Sequence, residues 1–294
     1  MALKFTPKTD RLFISFSGGE TSGYMTLWCL HNLAPLYKEV VVMFANTGQE
    51  NEQTLDFVDK CDREFGLNVV WVEAVVDPRK MHGTRHRVVT FETADREGTV
   101  FESVIQKYGI PNKAYPHCTR ELKLAPMKSY LRSLGWVAGS YETAVGIRVD
   151  EIDRMAHNAA ENKIIYPLVS LCPTTKPGIN AWWSAQKFRL PLKGYEGNCK
   201  WCWKKSLRKH LTLATEHPEW YDFPERMEAL YGTAGHNLDG TERVFFRSNT
   251  STKTIRVLSA AGGFTKAEDD ASYAPEDLDS PNGCSESCEV DFNV

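Results

Sequence analysis

Three short apolar runs, separated by amphipathic stretches, constrain this chain more than any other feature. RLFISF (residues 11–16), EVVVMFA (39–45) and NVVWVEA (68–74) read as buried strands. Residues 21–33 have helical spacing, with Met25, Trp28 and Cys29 on one face. Residues 50–66 form a second helical pattern, with Leu55, Val58 and Cys61 or Asp62 three to four apart. Gly66 then supplies a common helix stop. Strands that are apolar throughout, alternating with such helices, imply a parallel sheet covered on both faces. The expected fold class is therefore α/β, a parallel twisted sheet with helices on both faces. A smaller helical, cysteine-bearing C-terminal region follows it.

After residue 75 the alternation breaks. Residues 75–98 are polar and mixed, and KMHGTRHRVV gathers Lys80, His82, Arg85, His86 and Arg87. Such a long irregular insertion is either a functional loop or a solvated excursion. Residues 99–109 read as a helix before Pro111, and 118–135 as a longer helix that Pro126 kinks or breaks. YETAVGI (141–147) reads as another strand. Helical patterns run to about Gly232, and ERVFFRS (242–248) and TIRVLSA (254–260) are weak strand candidates. The tail past Lys266 is acidic and poor in apolar residues.

Composition narrows the class of protein. The 294 residues, 42% hydrophobic and 25% charged, have room for a sizeable core. A net charge of -3 gives no global reason to expect a polyanionic partner, although a local basic face is compatible with it. The first residues lack the apolar core of a signal peptide, and no window approaches a membrane span of about 18 apolar residues. The expectation is a cytoplasmic protein without a membrane partner. Its eight cysteines then read as thiols or metal ligands rather than disulfides.

The candidate site begins at SFSGGETSG, residues 15–23. A strand feeding a Gly-Gly turn and a helix presents unbonded backbone N–H groups and the positive end of a helix dipole. Gly18 and Gly19 permit positive φ and close backbone approach, and Ser17, Thr21 and Ser22 add hydroxyls. No lysine follows, so this is not a Walker loop, and the third glycine of a Rossmann turn is absent. By spacing alone the stretch is either an anion site or a structural turn.

Five stretches in order resemble the phosphoadenosine phosphosulfate (PAPS) reductase-like proteins, phage types included, of the PP-loop adenine nucleotide alpha-hydrolase superfamily. They are SFSGGETS, FANTGQENEQTLDFV, PHCTRELKLAPM, GIRVDEIDR and GNCKWCWKK, together spanning residue 11 to about 205. The resemblance implies a PP-loop nucleotide-binding domain over residues 1–170, a helical cysteine-containing region over 171–266 and an acidic tail with CxxxC over 267–294. It implies ATP or PAPS as the nucleotide, held by Ser15, Ser17, Gly18, Gly19, Glu20, Thr21 and Ser22. The resemblance further implies that Asn46, Thr47 and Gly48 lie on the adenine side, with Gly146 and Arg148 facing the nucleotide. Cys118, Arg120, Lys123 and Arg148 are the catalytic candidates. The family mostly carries Asp where this chain has Thr21, which bears on whether magnesium assists at a pyrophosphate. Glu20 would replace that carboxylate only if the loop is re-aimed.

The residues themselves add alternatives. Cys118 precedes a helix, whose dipole favours a thiolate, and Arg120 and Lys123 are spaced to share a face that binds sulfate or phosphate. Cys199 and Cys202 form a CxxC, and Cys284 and Cys288 a later pair, so zinc or an iron–sulfur cluster on these four is one reading. Cys118 joining Cys199 and Cys202 is another, and a redox thiol at Cys284 or Cys288 a third. Cys29 and Cys61 read as core, while Cys172 is ambiguous. Trp182, Trp183, Trp201 and Trp203 read as packing around the cysteine element, with base stacking on nucleic acid along KWCWKKSLRKH as the alternative. A thiol reductant and a homodimer complete the set of candidate partners.

Overall fold

The computed structural model describes residues 4–235 and 240–269. Its centre is a six-stranded sheet in the order β4-β3-β2-β1-β5-β6. The strands are β1 (Arg11–Ser15), β2 (Glu39–Ala45), β3 (Val69–Val75), β4 (Arg85–Val89), β5 (Glu142–Ala144) and β6 (Ile164–Ile165). All neighbours are parallel except β3 and β4, which pair antiparallel from Trp71↔Val89 to Val75↔Arg85. The insertion at residues 75–98 is thus not wholly irregular: it returns as an edge strand. Its alternation of Arg85, Arg87 and Val89 with His86 and Val88 is too polar to read as a buried strand.

Both faces of the sheet are covered. Leu12, Ile14, Val42, Phe44 and Trp71 point to one side, against Met25 and Cys29 of α1 (Glu20–Asn32), Leu33 just after it, and Leu55, Val58 and Cys61 of α2 (Glu52–Phe65). Phe13, Met43, Ala45 and Val72 point to the other, against Met127 and Leu131 of α4 (Ala125–Ser133) and Trp136. This explains why the strands are apolar at successive positions. Gly66 ends α2 at φ 64°, and Cys29 and Cys61 are both fully buried.

α3 (Thr99–Tyr108) follows the insertion. The expected helix at 118–135 is divided: a π-helical turn, Thr119–Leu124, precedes α4, with Pro126 in the first turn of α4. A proline ring cannot donate to the preceding turn, and the wider π-turn absorbs the break. The turn also separates two side chains expected to share a face. Arg120 is exposed and bonded to Glu121 at 2.8 Å, whereas Lys123 is buried.

The C-terminal part contains α5 (Pro167–Ser170), α6 (Lys176–Ser184), α7 (Leu207–Glu216), α8 (Asp222–Tyr231) and α9 (Thr252–Ala261). The weak strand at 254–260 is therefore a helix. Ser251 caps it, accepting from the Thr254 backbone N–H at 3.1 Å, and this local start outweighs the β-branched residues. Residues 242–248 form no strand; Phe245 and Phe246 are buried in a second core with α3, α7 and α8. Apolar contacts cross residue 170: Ile179, Trp183, Leu190 and Leu192 belong to the same core as β1 and β2.

Candidate functional site

The site lies at the C-terminal edge of the parallel strands. Chain order puts β2 on one side of β1 and β5 on the other, so connections diverge at the β1–β5 junction. Ligands of open α/β sheets bind in the crevice that such a reversal opens.

The Gly-Gly turn sits at this junction. Gly18 has φ 87°, and a Cβ there would meet Thr54 Cγ2 at 2.7 Å and Phe44 Cε2 at 3.0 Å. Only glycine suits both the backbone angle and the space. Ser22 Oγ accepts from the Ser17 backbone N–H at 3.1 Å, lies 2.9 Å from Ser17 Oγ and donates to the Gly19 carbonyl at 3.0 Å. These bonds close the turn into a small ring. Gly19 begins α1 without a side-chain cap, so the Thr21 and Ser22 amides of the first turn have no acceptor within the helix. Ser15 Oγ is buried with no hydrogen-bond partner among the described residues.

Adjacent residues 20 and 21 face opposite ways. Arg148, beyond β5, donates from Nη1 to Thr21 Oγ1 at 2.7 Å, bridging the junction. Its guanidinium is held by Asp150 at 3.0 Å and Glu151 at 3.2 Å and is almost fully buried. Gly146, in the same segment, is buried. Glu20 turns away: its carboxylate takes Arg189 Nε and Nη2, both at 3.0 Å, and the Leu190 backbone N–H at 3.2 Å. Trp183 Nε1 donates to the Glu20 carbonyl at 2.8 Å. Sequence reasoning missed Arg189 as a brace because a partner 169 residues away leaves no local signal.

The loop after β2 is equally braced. Asn46 Nδ2 donates to Glu73 Oε1 at 2.6 Å and to the Asp95 carbonyl at 2.8 Å, while its Oδ1 accepts from Gly48 N at 3.2 Å. Glu73 is fully buried and also takes Arg87 at 2.6 Å, which makes the β4 insertion a support for this loop. Thr47 donates from its backbone N–H and its hydroxyl to Glu50, at 2.9 Å and 2.8 Å.

The cysteine element docks beside both loops. Cys199 forms an antiparallel bridge with Glu50, flanked by Asn51 N to Asn198 O at 2.8 Å and Lys200 N to Gln49 O at 3.1 Å. Asn198 is fully buried; its Nδ2 donates to the Ser17 carbonyl at 2.9 Å, and its Oδ1 has no partner among the described residues. Trp201 Nε1 donates to Gln49 Oε1 at 2.7 Å, and Trp203 Nε1 to Cys118 Sγ at 3.4 Å. Cys118 and the CxxC segment therefore meet through Trp203. The indoles of Trp201 and Trp203 are buried, so they present no free face for base stacking. Trp182 and Trp183 pack elsewhere, on Tyr24, Phe57 and Phe65 of α1 and α2. Cys172 lies 3.6 Å from the Tyr24 hydroxyl, and burial foremost, then this bond, pushes the phenol up to about 12. Next to Cys118, burial pushes His117 down to about 4, and its Nε2–H donates to the Gly109 carbonyl at 3.0 Å.

The described donors fit a magnesium-held pyrophosphate poorly. Magnesium at a pyrophosphate is held by carboxylate oxygens and phosphates. Here Thr21 offers only a hydroxyl and the Glu20 carboxylate is spent on Arg189. Cys199 and Cys202 supply two sulfurs, and no group of three or more His, Cys, Asp or Glu among the described residues could hold a metal ion. Cys284 and Cys288 lie outside the described residues.

Residues 11–88 match the phosphoadenosine phosphosulfate reductase domain family. Over this stretch the chain is similar to PAPS reductase domains. Over 284 residues, 94% of each chain, it is 29% identical to the "Uncharacterized nin region protein ORF290" of Escherichia phage lambda. It is also 32% identical to an uncharacterized protein of Methanocaldococcus jannaschii, over 40% of this chain and 22% of that one. A second protein of that archaeon is 28% identical over 41% of this chain and 19% of its own length. The PAPS reductase-like match covers β1 to β4, and so includes the Gly-Gly turn and the loop after β2. Among the described residues no helix is long and apolar enough to cross a membrane.

Proposed function

We propose that the chain binds an adenylyl nucleotide on residues 15–22, with PAPS favoured over ATP, and carries out thiol-dependent sulfonucleotide chemistry. The observation that carries this reading is the Arg148–Thr21 contact across the β1–β5 junction. It brings a buried cation to the start of a helix whose Thr21 and Ser22 amides have no acceptor within the helix. A phosphate would take Arg148 and the amides of residues 18–22 in place of the Thr21 hydroxyl. The 46–48 loop, fixed by Glu73 and Glu50, would face the adenine.

PAPS is favoured because its reaction needs no metal-bound pyrophosphate, and the loop's own carboxylate is committed to Arg189. A thiolate, with Cys118 the candidate, attacks the sulfur of the sulfuryl group. An S–S bond forms, the S–O bond breaks, and adenosine 3′,5′-bisphosphate leaves with the electron pair. A second thiol then attacks the cysteine sulfur, giving a disulfide and sulfite. Arg148 would stabilise charge on the departing phosphate. Arg120 and Lys123 are weaker candidates for that role, one paired with Glu121 and the other buried.

The test is turnover of purified full-length protein with PAPS and dithiothreitol, and separately with ATP. Sulfite release that is lost in Cys118→Ser supports the proposal. Pyrophosphate release from ATP would replace it with an adenylating sulfurtransferase, and binding without turnover with a nucleotide-holding protein. Elemental analysis of the same sample tests zinc or iron on Cys199, Cys202, Cys284 and Cys288.

A further inference from the structure

We propose that the phosphate loop and the Cys199–Cys202 element are one coupled unit, with Asn198 as the positioning residue that joins them. The inference rests on nucleotide binding at residues 15–22 and adds a second place where that binding is felt.

The contacts run in one line. The carbonyl of Ser17 leads the phosphate turn, and it accepts from Asn198 Nδ2 at 2.9 Å. The same residue's backbone carbonyl accepts from Asn51 N at 2.8 Å, and Asn51 Nδ2 reaches back to the Gly197 carbonyl at 2.7 Å. Asn198 therefore touches the β1 loop with its side chain and the β2 loop with its backbone. Cys199 is its chain neighbour. It bridges Glu50, which also fixes Thr47, and Cys199 Sγ lies 3.7 Å from Glu50 Oε1. On the far side, buried Lys205 donates to the carbonyls of Cys199 and Lys200.

Asn198, Asn51, Gln49 and Glu50 are each buried to 4% exposure or less. A movement of the Ser17 carbonyl thus cannot be absorbed by solvent; it has to be taken up by the Asn198 amide and the peptide that carries Cys199. Asn198 Oδ1 and Asn51 Oδ1 also have no partner among the described residues. Buried polar atoms in this condition disfavour the arrangement that leaves them so, which gives this joint a reason to rearrange when a ligand with donors arrives. A ligand that shifts the loop between two arrangements biases the cysteine segment by the same free energy, and the effect is reciprocal.

The expected result is that saturating PAPS or ATP slows alkylation of Cys199 and Cys202 by iodoacetamide at least fivefold, read peptide by peptide by mass spectrometry. Amide exchange over residues 197–203 should slow in parallel. In Asn198→Leu, which keeps the volume, adds no charge and cannot donate to the Ser17 carbonyl, the nucleotide should change both rates less than twofold. That variant also separates coupling from simple shielding, which it would leave intact. Calorimetry on the same samples distinguishes the two ways to fail. Binding without any change at 197–203 in the wild-type protein overturns the coupling and leaves the functional reading standing. Absence of binding of either nucleotide overturns both.

Discussion

The sheet edge and the cysteine-bearing segment build one site by opposite means. Around β1 and β2 the geometry is local: a strand, a Gly-Gly turn and a helix start, with the ring closed by Ser17 and Ser22 five residues apart. The cysteine segment contributes through contacts separated by 146 to 181 residues, such as Asn51–Gly197 and Ser17–Asn198. The first half shapes a glycine turn and a helix start with backbone groups, and the second locks that shape with buried side chains. A local motif can therefore be intact in sequence while its geometry depends on a distant segment.

The largest expected effect breaks the local half. Gly18→Val combines a positive φ with a collision against Thr54 and Phe44. It should cost roughly 2–5 kcal/mol in urea unfolding, from backbone strain plus overpacking. A loss under about 1 kcal/mol would mean the turn relaxes freely.

Acid should weaken the packing beside Cys118, which meets the cysteine segment through Trp203. His117 is held at about 4 by burial, with the nearby Arg120 and Arg243 adding to it, against an ordinary 6.5. The unfolded chain takes up the proton first as pH falls, so stability is full above pH 6.5, declines towards pH 4 and levels off below. At 1.36 kcal/mol per pH unit the contribution is roughly 3 kcal/mol. His210, fully buried against Tyr221 and lowered well below its ordinary value by burial, acts in the same direction. His117→Gln should flatten the slope between pH 6.5 and 4 in unfolding monitored by tryptophan fluorescence. An unchanged slope would remove His117 from the account.

The dependence of the first half on the second is tested at Arg189. Arg189→Ala removes the cation paired with the buried Glu20 carboxylate and should cost about 2–3 kcal/mol, discounted because the guanidinium is 33% exposed. Adding Glu20→Gln should restore part of that loss, as a double-mutant cycle reads directly. Additive losses would show that the two side chains do not act as a pair. Arg148→Lys has a smaller stability effect but is expected to weaken nucleotide binding about 10- to 100-fold, since an ammonium cannot bond Asp150, Glu151 and phosphate together in the guanidinium's planar geometry.

The same contrast explains what the sequence disclosed. Periodicity and turn chemistry placed β1, β2, β3, α1, α2 and the Gly-Gly turn, because each is written in consecutive residues. β4 is hidden by its own polarity: its Arg87 serves Glu73 and the loop after β2, a role visible only once the strands pair. The Thr252–Ala261 helix was obscured by β-branched residues that its serine cap outweighs. Asn198 stands beside the CxxC with no spacing signal of its own, and only tertiary pairing brings its amide to the turn after β1. Arg189 and Lys205 had no spacing signal, since their roles arise from tertiary placement.

The most direct test is a crystal structure of the full chain with PAPS or ATP bound. The account expects phosphate oxygens on the amides of residues 18–22, with the Arg148 guanidinium moved from the Thr21 hydroxyl onto the phosphate and Glu20 still on Arg189. A nucleotide bound away from the β1–β5 junction, with the Arg148–Thr21 bond intact, would contradict it.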